Sequence, residues 1–353
     1  MMRDADAQHC ADAGGIHYQG RSCKLPCMSE QEIPWPLDTG ASLPPRWLDA
    51  PLSNFTGELS VRMRTQQLRA CGDQTSAAFR CGFLAPSVRV SILPCLLKRA
   101  VLTHAVRTQG FDAVRQRAAD YADGCSTVVL TAAFGARDGL RQPRQVPAEM
   151  EHCYFAFVDH VAAAAVLRRG RTASSTTASS LPQVGVWRLL TVGGNLPFGN
   201  NARRNSRVPK MLPHRFFPRA EFCIWVDAKL QLQMAPDVML QRFLRSRGAG
   251  FAALRNLRRH TIGHEYAWIS SWMCPQKGRT SPTADACAEM KDQWRLYALE
   301  QRGAAGWQSR TAVIEGALLL LDLRDTATLC LLCNWFNEYA LFSERDQLGF
   351  ACA

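Results

Sequence analysis

An aspartate closing a strongly apolar strand is where an enzyme built on a sheet can set charge beside a ligand. Three such places occur. Asp227 follows the run 222–226 (FCIWV), Asp159 follows 153–158 (CYFAFV), and the run 128–134 ends in Gly135-Ala136-Arg137-Asp138. A carboxylate there can hold a divalent metal or a ribose hydroxyl, and a glycine lets the backbone approach a ligand. The plainer alternative for each aspartate is a helix cap or a turn. Upstream of the Asp227 strand, the segment 208–218 (VPKMLPHRFFP) groups Lys210, His214 and Arg215 among prolines. Guanidinium offers bidentate contacts and ammonium a point charge, a set suited to a diphosphate. A solvated basic helix would read the same way. His260 and His264 have the H-x-x-x-H spacing of a zinc pair, although Thr261 and Gly263 count against the helix such a pair needs. G-x-S-x-G, Walker, H-E-x-x-H and G-x-G-x-x-G patterns do not occur.

These residues need a scaffold. Continuous apolar runs at 128–134, 153–158, 184–192, 222–226 and 317–321 have strand length and are apolar on both faces, as central strands covered by helices are. Helical patterns lie between and after them. Pro236-Asp237 opens one that Gly248 stops; 284–300 is a second; Asp325 is placed to N-cap a third over 326–342. The alternation predicts an α/β fold. Prolines 34, 36, 44, 45 and 51 make the first 78 residues an irregular extension, and 79–353 reads as the folded domain. The segment 88–101 fits helix or strand equally. The polar stretch 171–180 (RTASSTTASS) reads as a flexible insertion.

Composition narrows the class. The chain has 353 residues, 47% hydrophobic and 20% charged, so it is globular. No apolar stretch approaches the roughly 20 residues of a membrane helix, and the first thirty residues carry no apolar leader. The net charge of +12 favours anionic partners, but no block of like charges marks a nucleic-acid tail. Fourteen cysteines are many for a reduced cytosolic protein and few for a disulfide scaffold. His9, Cys10, His17, Cys23 and Cys27 match no zinc template. Cys330 and Cys333, in an apolar helical run, read as buried core thiols.

Several stretches together resemble a plant turgor-regulation and mucilage-related glycosyltransferase-like family, formerly a domain of unknown function. They are RCGF (80–83), GFD (110–112), VVLTAAFGARDGLRQP (128–143), FAFVD (155–159), VGVWRLL (184–190), VPKMLPHRFFP (208–218), IWVDAKLQL (224–232), RHTIGHE (259–265), IEGA (314–317) and NWFNEYALFSERDQLGF (334–350), in the family's order over roughly 79–353. The resemblance implies a GT-A-like fold with a central, mostly parallel sheet flanked by helices, and a hexosyltransferase using a nucleotide-sugar donor on a glycan or glycolipid acceptor. Thr131, Phe134, Gly135, Asp138 and Asp159 would line the nucleotide pocket. Asp227 would stand where GT-A enzymes keep the first carboxylate of D-x-D, able to hold manganese or magnesium. Here the motif reads Asp227-Ala228-Lys229, and a lysine can itself supply charge to the leaving diphosphate. Lys210, His214 and Arg215 would complete the phosphate clamp, and Arg345, Asp346 and Gln347 would contact the sugar. Asp346 or Glu265 would take the acceptor proton. Relatives are commonly anchored in the Golgi, which places this chain there by resemblance. Ile314 and Ala317 depart from the family's Pro and Ser, and the chain stops soon after the Asp-Gln element, where relatives continue. Two further readings stand beside the transferase: a ceramidase-type amide hydrolase, an activity of one branch of the family, and a degenerate sugar-nucleotide-binding protein.

Overall fold

The computed structural model describes residues 109–135, 138–169, 181–194, 196–256, 258–274, 284–300, 308 and 313–350. The expectations for the extension 1–78, the segment 88–101, the insertion 171–180 and the cluster from His9 to Cys27 lie outside the described residues.

Seven strands form one sheet: β1 (Thr127–Ala133), β2 (Tyr154–Asp159), β3 (Gln183–Val184), β4 (Trp187–Val192), β5 (Phe222–Val226), β6 (Phe251–Arg255) and β7 (Ile314–Asp322), in spatial order β3-β4-β2-β1-β5-β7-β6. The four inner strands β4, β2, β1 and β5 run parallel. Their buried Val, Leu, Phe and Trp side chains give the unbroken apolar runs that the sequence displays, because helices cover both faces. β3 folds back on β4, while β7 runs antiparallel to both β5 and β6. The result is the α/β, GT-A-like architecture implied by the resemblance: a parallel centre with antiparallel margins. The run 184–192 is a hairpin rather than one strand, turning at Gly185 between β3 and β4. β6 is an edge strand whose end, Leu254-Arg255, is exposed.

Ten α-helices lie among the described residues: α1 (Gln109–Tyr121), α2 (His160–Arg169), α3 (Ala202–Asn205), α4 (Val208–Met211), α5 (Pro213–Phe216), α6 (Pro236–Phe243), α7 (Ile262–Met273), α8 (Ala284–Glu300), α9 (Thr326–Leu341) and α10 (Asp346–Phe350). One face of the sheet buries Val128, Leu130, Phe155, Phe157, Trp225 and Leu319 against Phe111, Phe216, Leu332 and Trp335. The other buries Val129, Tyr154, Ile224 and Leu320 with Val166 and Leu240. A third cluster, including Ile269, Met290, Tyr297 and Leu348, joins α7, α8 and α10. Asp325 caps α9, accepting from the Thr328 N–H at 2.9 Å. Thr261 caps α7, accepting from the His264 N–H at 3.3 Å, so His260 stands before the helix rather than on it.

One cysteine expectation is overturned. Cys330 and Cys333 are both disulfide-bonded, not core thiols. Their spacing on a helix does not report which sulfur approaches that face. Cys125–Cys153 and Cys274–Cys287 are also bonded, leaving buried Cys223 as the free thiol among the described residues.

Candidate functional site

The site is built where β5 ends and β7 begins. Antiparallel pairing brings the start of β7 alongside the carboxyl end of β5, and the Asp227 N–H donates to the Ala317 carbonyl at 2.8 Å. The next residue back, Gly316, leaves the space that the Lys210 side chain fills. A methyl group at 316 would collide with the Lys210 ammonium and lie 3.6 Å from the Asp346 carboxylate. Lys210 and Asp346 are ion-paired at 2.5 Å. Trp335 supports both, with its ring centroid 5.0 Å from the ammonium and its indole N–H donating to the Asp346 carbonyl at 2.6 Å.

Arg207, one turn before Lys210, brings a second cation to Asp346 at 3.4 Å. Burial opposes the Arg207 charge, yet Asp346 and then Asp227 outweigh it and hold the guanidinium above its ordinary pKa. Burial also pushes Lys210 down, with Asp346 and Asp227 pulling it up and Arg207 adding to the fall. Asp227 therefore acts electrostatically on both cations. Asp346 is held well below the usual carboxylate range: burial would raise it, but Lys210, Arg207 and Arg345 prevail. Arg203 pairs with Glu344 at 3.3 Å at the rim. Its pKa is lowered by burial and next by the Arg345 charge, a sign that the cations crowd one another. Two buried donors of the cluster, Arg207 Nε and the Tyr339 hydroxyl, make no hydrogen bond among the described residues.

A second network lies behind the first. Glu265 is fully buried and receives Arg345 at 2.8 Å on one oxygen and Arg259 on the other. Arg345 also donates to Gln347, whose amide donates to the Ile314 carbonyl at 3.2 Å. Arg204, next to Arg203, has a different task. It donates to the Tyr339, Ala340 and Phe342 carbonyls at the end of α9, satisfying groups that a helix terminus leaves open.

The other strand ends are more structural. Asp159 accepts from the Gly135 N–H at 2.9 Å and the Ala162 N–H at 2.7 Å, tying the end of β1 to the first turn of α2. Gly135 turns there with φ +73°. Phe134 packs on Phe111, and Thr131 is fully buried in β1 with its hydroxyl unmatched among the described residues. Asp138 is exposed and adds to the field on Arg207. Of the cationic trio, Lys210 is the member joined to Asp346. His214 points instead at the disulfide-bonded Cys333, Nε2 to sulfur 3.7 Å. Burial, then the Arg215 charge, lowers its pKa to about 3, so the ring is neutral. Arg215 is buried beside it.

The donor set does not fit a resident divalent ion. Asp227 Oδ1 accepts the Trp225 indole N–H at 3.1 Å, and Oδ2 has the Lys229 ammonium 3.8 Å away. A protonated lysine cannot ligate a metal. Among the described residues, the one trio of His, Cys, Asp or Glu groups close enough to share an ion is Cys125, His152 and Cys153, and its two sulfurs are bonded to each other. His260 and His264 meet edge to face, ring centroids 6.0 Å apart, without a third ligand among the described residues.

Arg203, Arg207, Trp335 and Gly316 were not singled out by sequence reasoning. The first two had a signal: with Lys210 they follow a 4-then-3 spacing, the period of one helical face. Trp335 had none, because its contact with Lys210 spans distant parts of the chain.

The profile of the TOD1/MUCI70, glycosyltransferase-like domain matches residues 48–353. Among individual proteins, the chain is 30% identical over 249 residues to the probable hexosyltransferase MUCI70 of Arabidopsis thaliana, covering 69% of this chain and 40% of that protein. It is 26% identical over 234 residues to the alkaline ceramidase TOD1 of Arabidopsis thaliana, covering 64% of this chain and 48% of that one. The chain thus spans less than half the length of either relative. No solved structure matches it significantly. The match over most of the chain makes this protein a member of the TOD1/MUCI70 glycosyltransferase-like family.

Proposed function

We propose that the chain is a hexosyltransferase that moves a sugar from a nucleotide-sugar donor to a glycan or glycolipid acceptor. The carrying observation is that, where β5 ends and β7 starts, Ala317 holds the Asp227 N–H while the adjoining Gly316 borders the Lys210 ammonium, which shares Asp346 with Arg207; this is the place where α/β sheets hold ligands. In transfer, the bond from the anomeric carbon to the β-phosphate oxygen breaks and the diphosphate keeps its electron pair. The acceptor oxygen bonds to the anomeric carbon and gives its proton to Asp227. Asp346 is a poor proton acceptor because Lys210 and Arg207 stabilise its ionised form. Glu265 has both oxygens engaged by arginines. These two carboxylates serve as fixed counter-charges, and Asp227, whose Oδ2 stands 3.8 Å from the exposed Lys229 ammonium, is the one suited to a sugar hydroxyl.

Six of the seven described cysteines are in disulfides, which supports residence in an oxidising lumen such as the Golgi. No helix among the described residues is long and apolar enough to cross a membrane.

The test is a screen of UDP- and GDP-sugars against oligosaccharide and glycolipid acceptors, with Asp227→Ala alongside. The expected result is transfer by the wild type and a loss of about 100-fold or more in the variant at unchanged melting temperature. Equal transfer by both proteins would refute the role of Asp227. Fatty acid released from ceramide, with no sugar transferred, would move the protein to the hydrolase reading. Nucleotide binding with neither reaction would make it a degenerate binder.

A further inference from the structure

A GT-A-like site ordinarily needs a cation to neutralise the diphosphate that departs. Here the position that a second metal-facing carboxylate would occupy is Lys229, and Asp227 is already engaged by Trp225 and faces that ammonium. The Asp227 N–H bonds to Ala317, and the adjoining Gly316 borders the Lys210 ammonium, which shares Asp346 with Arg207 as counter-ion. Arg203 and Arg345 widen the positive field. Arg207 Nε reaches Asp346 only through a long 3.4 Å contact, and the Asp346 oxygen it faces is the one the Lys210 ammonium already holds at 2.5 Å. Two cations on one carboxylate oxygen leave positive charge over, and a nucleoside diphosphate supplies the further acceptor oxygens and negative charge that would balance it.

We infer that Arg207, Lys210 and Lys229 together replace the divalent cation in this protein, so that it binds the diphosphate of its donor without a metal. The inference rests on the nucleotide-sugar reading above and extends it to how the leaving group is held. Asp346 is the shared counter-ion that aligns Lys210 and Arg207. When the diphosphate enters, the ammonium and guanidinium hydrogens are shared with its oxygens, and their charge stabilises the electron pair that the leaving oxygen retains. Arginine suits this position because its planar fork meets two phosphate oxygens at once.

The experiment is calorimetric titration of UDP and of GDP into the full chain, with EDTA and separately with manganese, with thermal melting as a second readout. The expected result is binding of one nucleotide with affinities that agree within about threefold in the two conditions. Lys229→Met, whose side chain is 65% exposed and whose replacement leaves the core intact, should weaken binding about tenfold in EDTA. Arg207→Gln should weaken it further, and its own melting curve reports whether the fold survives. Binding that appears only with manganese, or strengthens about tenfold or more on its addition, overturns the inference and leaves the transferase reading standing. Unchanged affinity in Lys229→Met and in a folded Arg207→Gln overturns it as well. No binding of either nucleotide in any condition sinks both.

Discussion

Lys210 and Asp346 close a buried ion pair at 2.5 Å although 136 residues separate them in sequence. The pair joins α4 to α10 directly over Gly316 of β7. Breaking a buried pair leaves one charge without a partner, which costs far more than the intact pair contributes. The geometry of the site is therefore tied to the stability of the domain, and the predictions below separate the two.

Gly316→Ala adds one methyl group where the Lys210 ammonium sits. The lysine is boxed by Trp335 and Asp346, so it cannot swing aside freely. Overpacking of this kind costs about 1–3 kcal/mol, and urea unfolding should show it. The same variant should bind nucleotide more weakly even at temperatures where it is folded. A variant as stable as the wild type with unaltered nucleotide affinity would show that the contact is slack.

Glu265→Gln distinguishes an anchor from a base. As an anchor, the variant leaves half-buried Arg259 and buried Arg345 with no carboxylate between them, and stability should fall by about 3–5 kcal/mol. As a base, it would abolish turnover while melting stayed where it was. Melting and sugar-transfer assays on one preparation decide between them, and a large fall in melting temperature is the expected outcome.

His214 makes the protein sensitive to acid. Its folded pKa, about 3, lies below the ordinary 6.5, because burial and then Arg215 disfavour its charge. The unfolded chain accepts a proton that the folded one refuses. The stability that follows is fully present above about pH 6.5 and is lost progressively as pH falls towards 3. His214→Gln should flatten the stability curve in that window by up to about 1.4 kcal/mol per pH unit, the value for one proton. Chemical denaturation at pH 7, 6, 5 and 4 measures the slope directly, and parallel curves for the two proteins would place the acid sensitivity elsewhere.

The Cys125–Cys153 bond closes a loop across 28 residues and fastens the start of β1 to the start of β2. Restricting the unfolded chain by a loop of this length is worth about 3–4 kcal/mol in the loop-entropy account. The double variant Cys125→Ser, Cys153→Ser should lose that much in guanidinium unfolding. A dithiothreitol-treated wild type should shift in the same direction, with a larger total because other bonds are reduced too.

Much of the fold was legible because it rests on local pattern. β1, β2 and β5 are buried on both faces, so their sequences are apolar without alternation. α9 shows its start through Asp325. β6 was hidden: it lies at the sheet edge, its last two residues face solvent, and its apolar run is only the four residues Phe251 to Leu254, two of them alanine. The candidate site was legible in part for the same reason. Asp227 and Lys210 lie in segments that stand out locally, and β7 brings them together, Ala317 holding the Asp227 N–H and Gly316 bordering the Lys210 ammonium. His214 and Arg215 share the segment of Lys210 but belong to α5, whose residues are all buried. Nothing in the linear order shows that a proline at 213 starts a new helix and turns them inward. Arg207 was readable as a helical neighbour of Lys210, while its link to Asp346 depends on α10 arriving from the far end of the chain.

α9 carries Trp335 under the Lys210–Asp346 pair, and Arg204 closes its last turn. A helix secured at its middle and its end gives the charges above it little freedom to wander. An incoming anion then meets an electrostatic mould that is already set, and little of its binding energy is consumed in ordering side chains. Crystals soaked with nucleotide should accordingly show Lys210 and Arg207 within about 1 Å of their ligand-free positions.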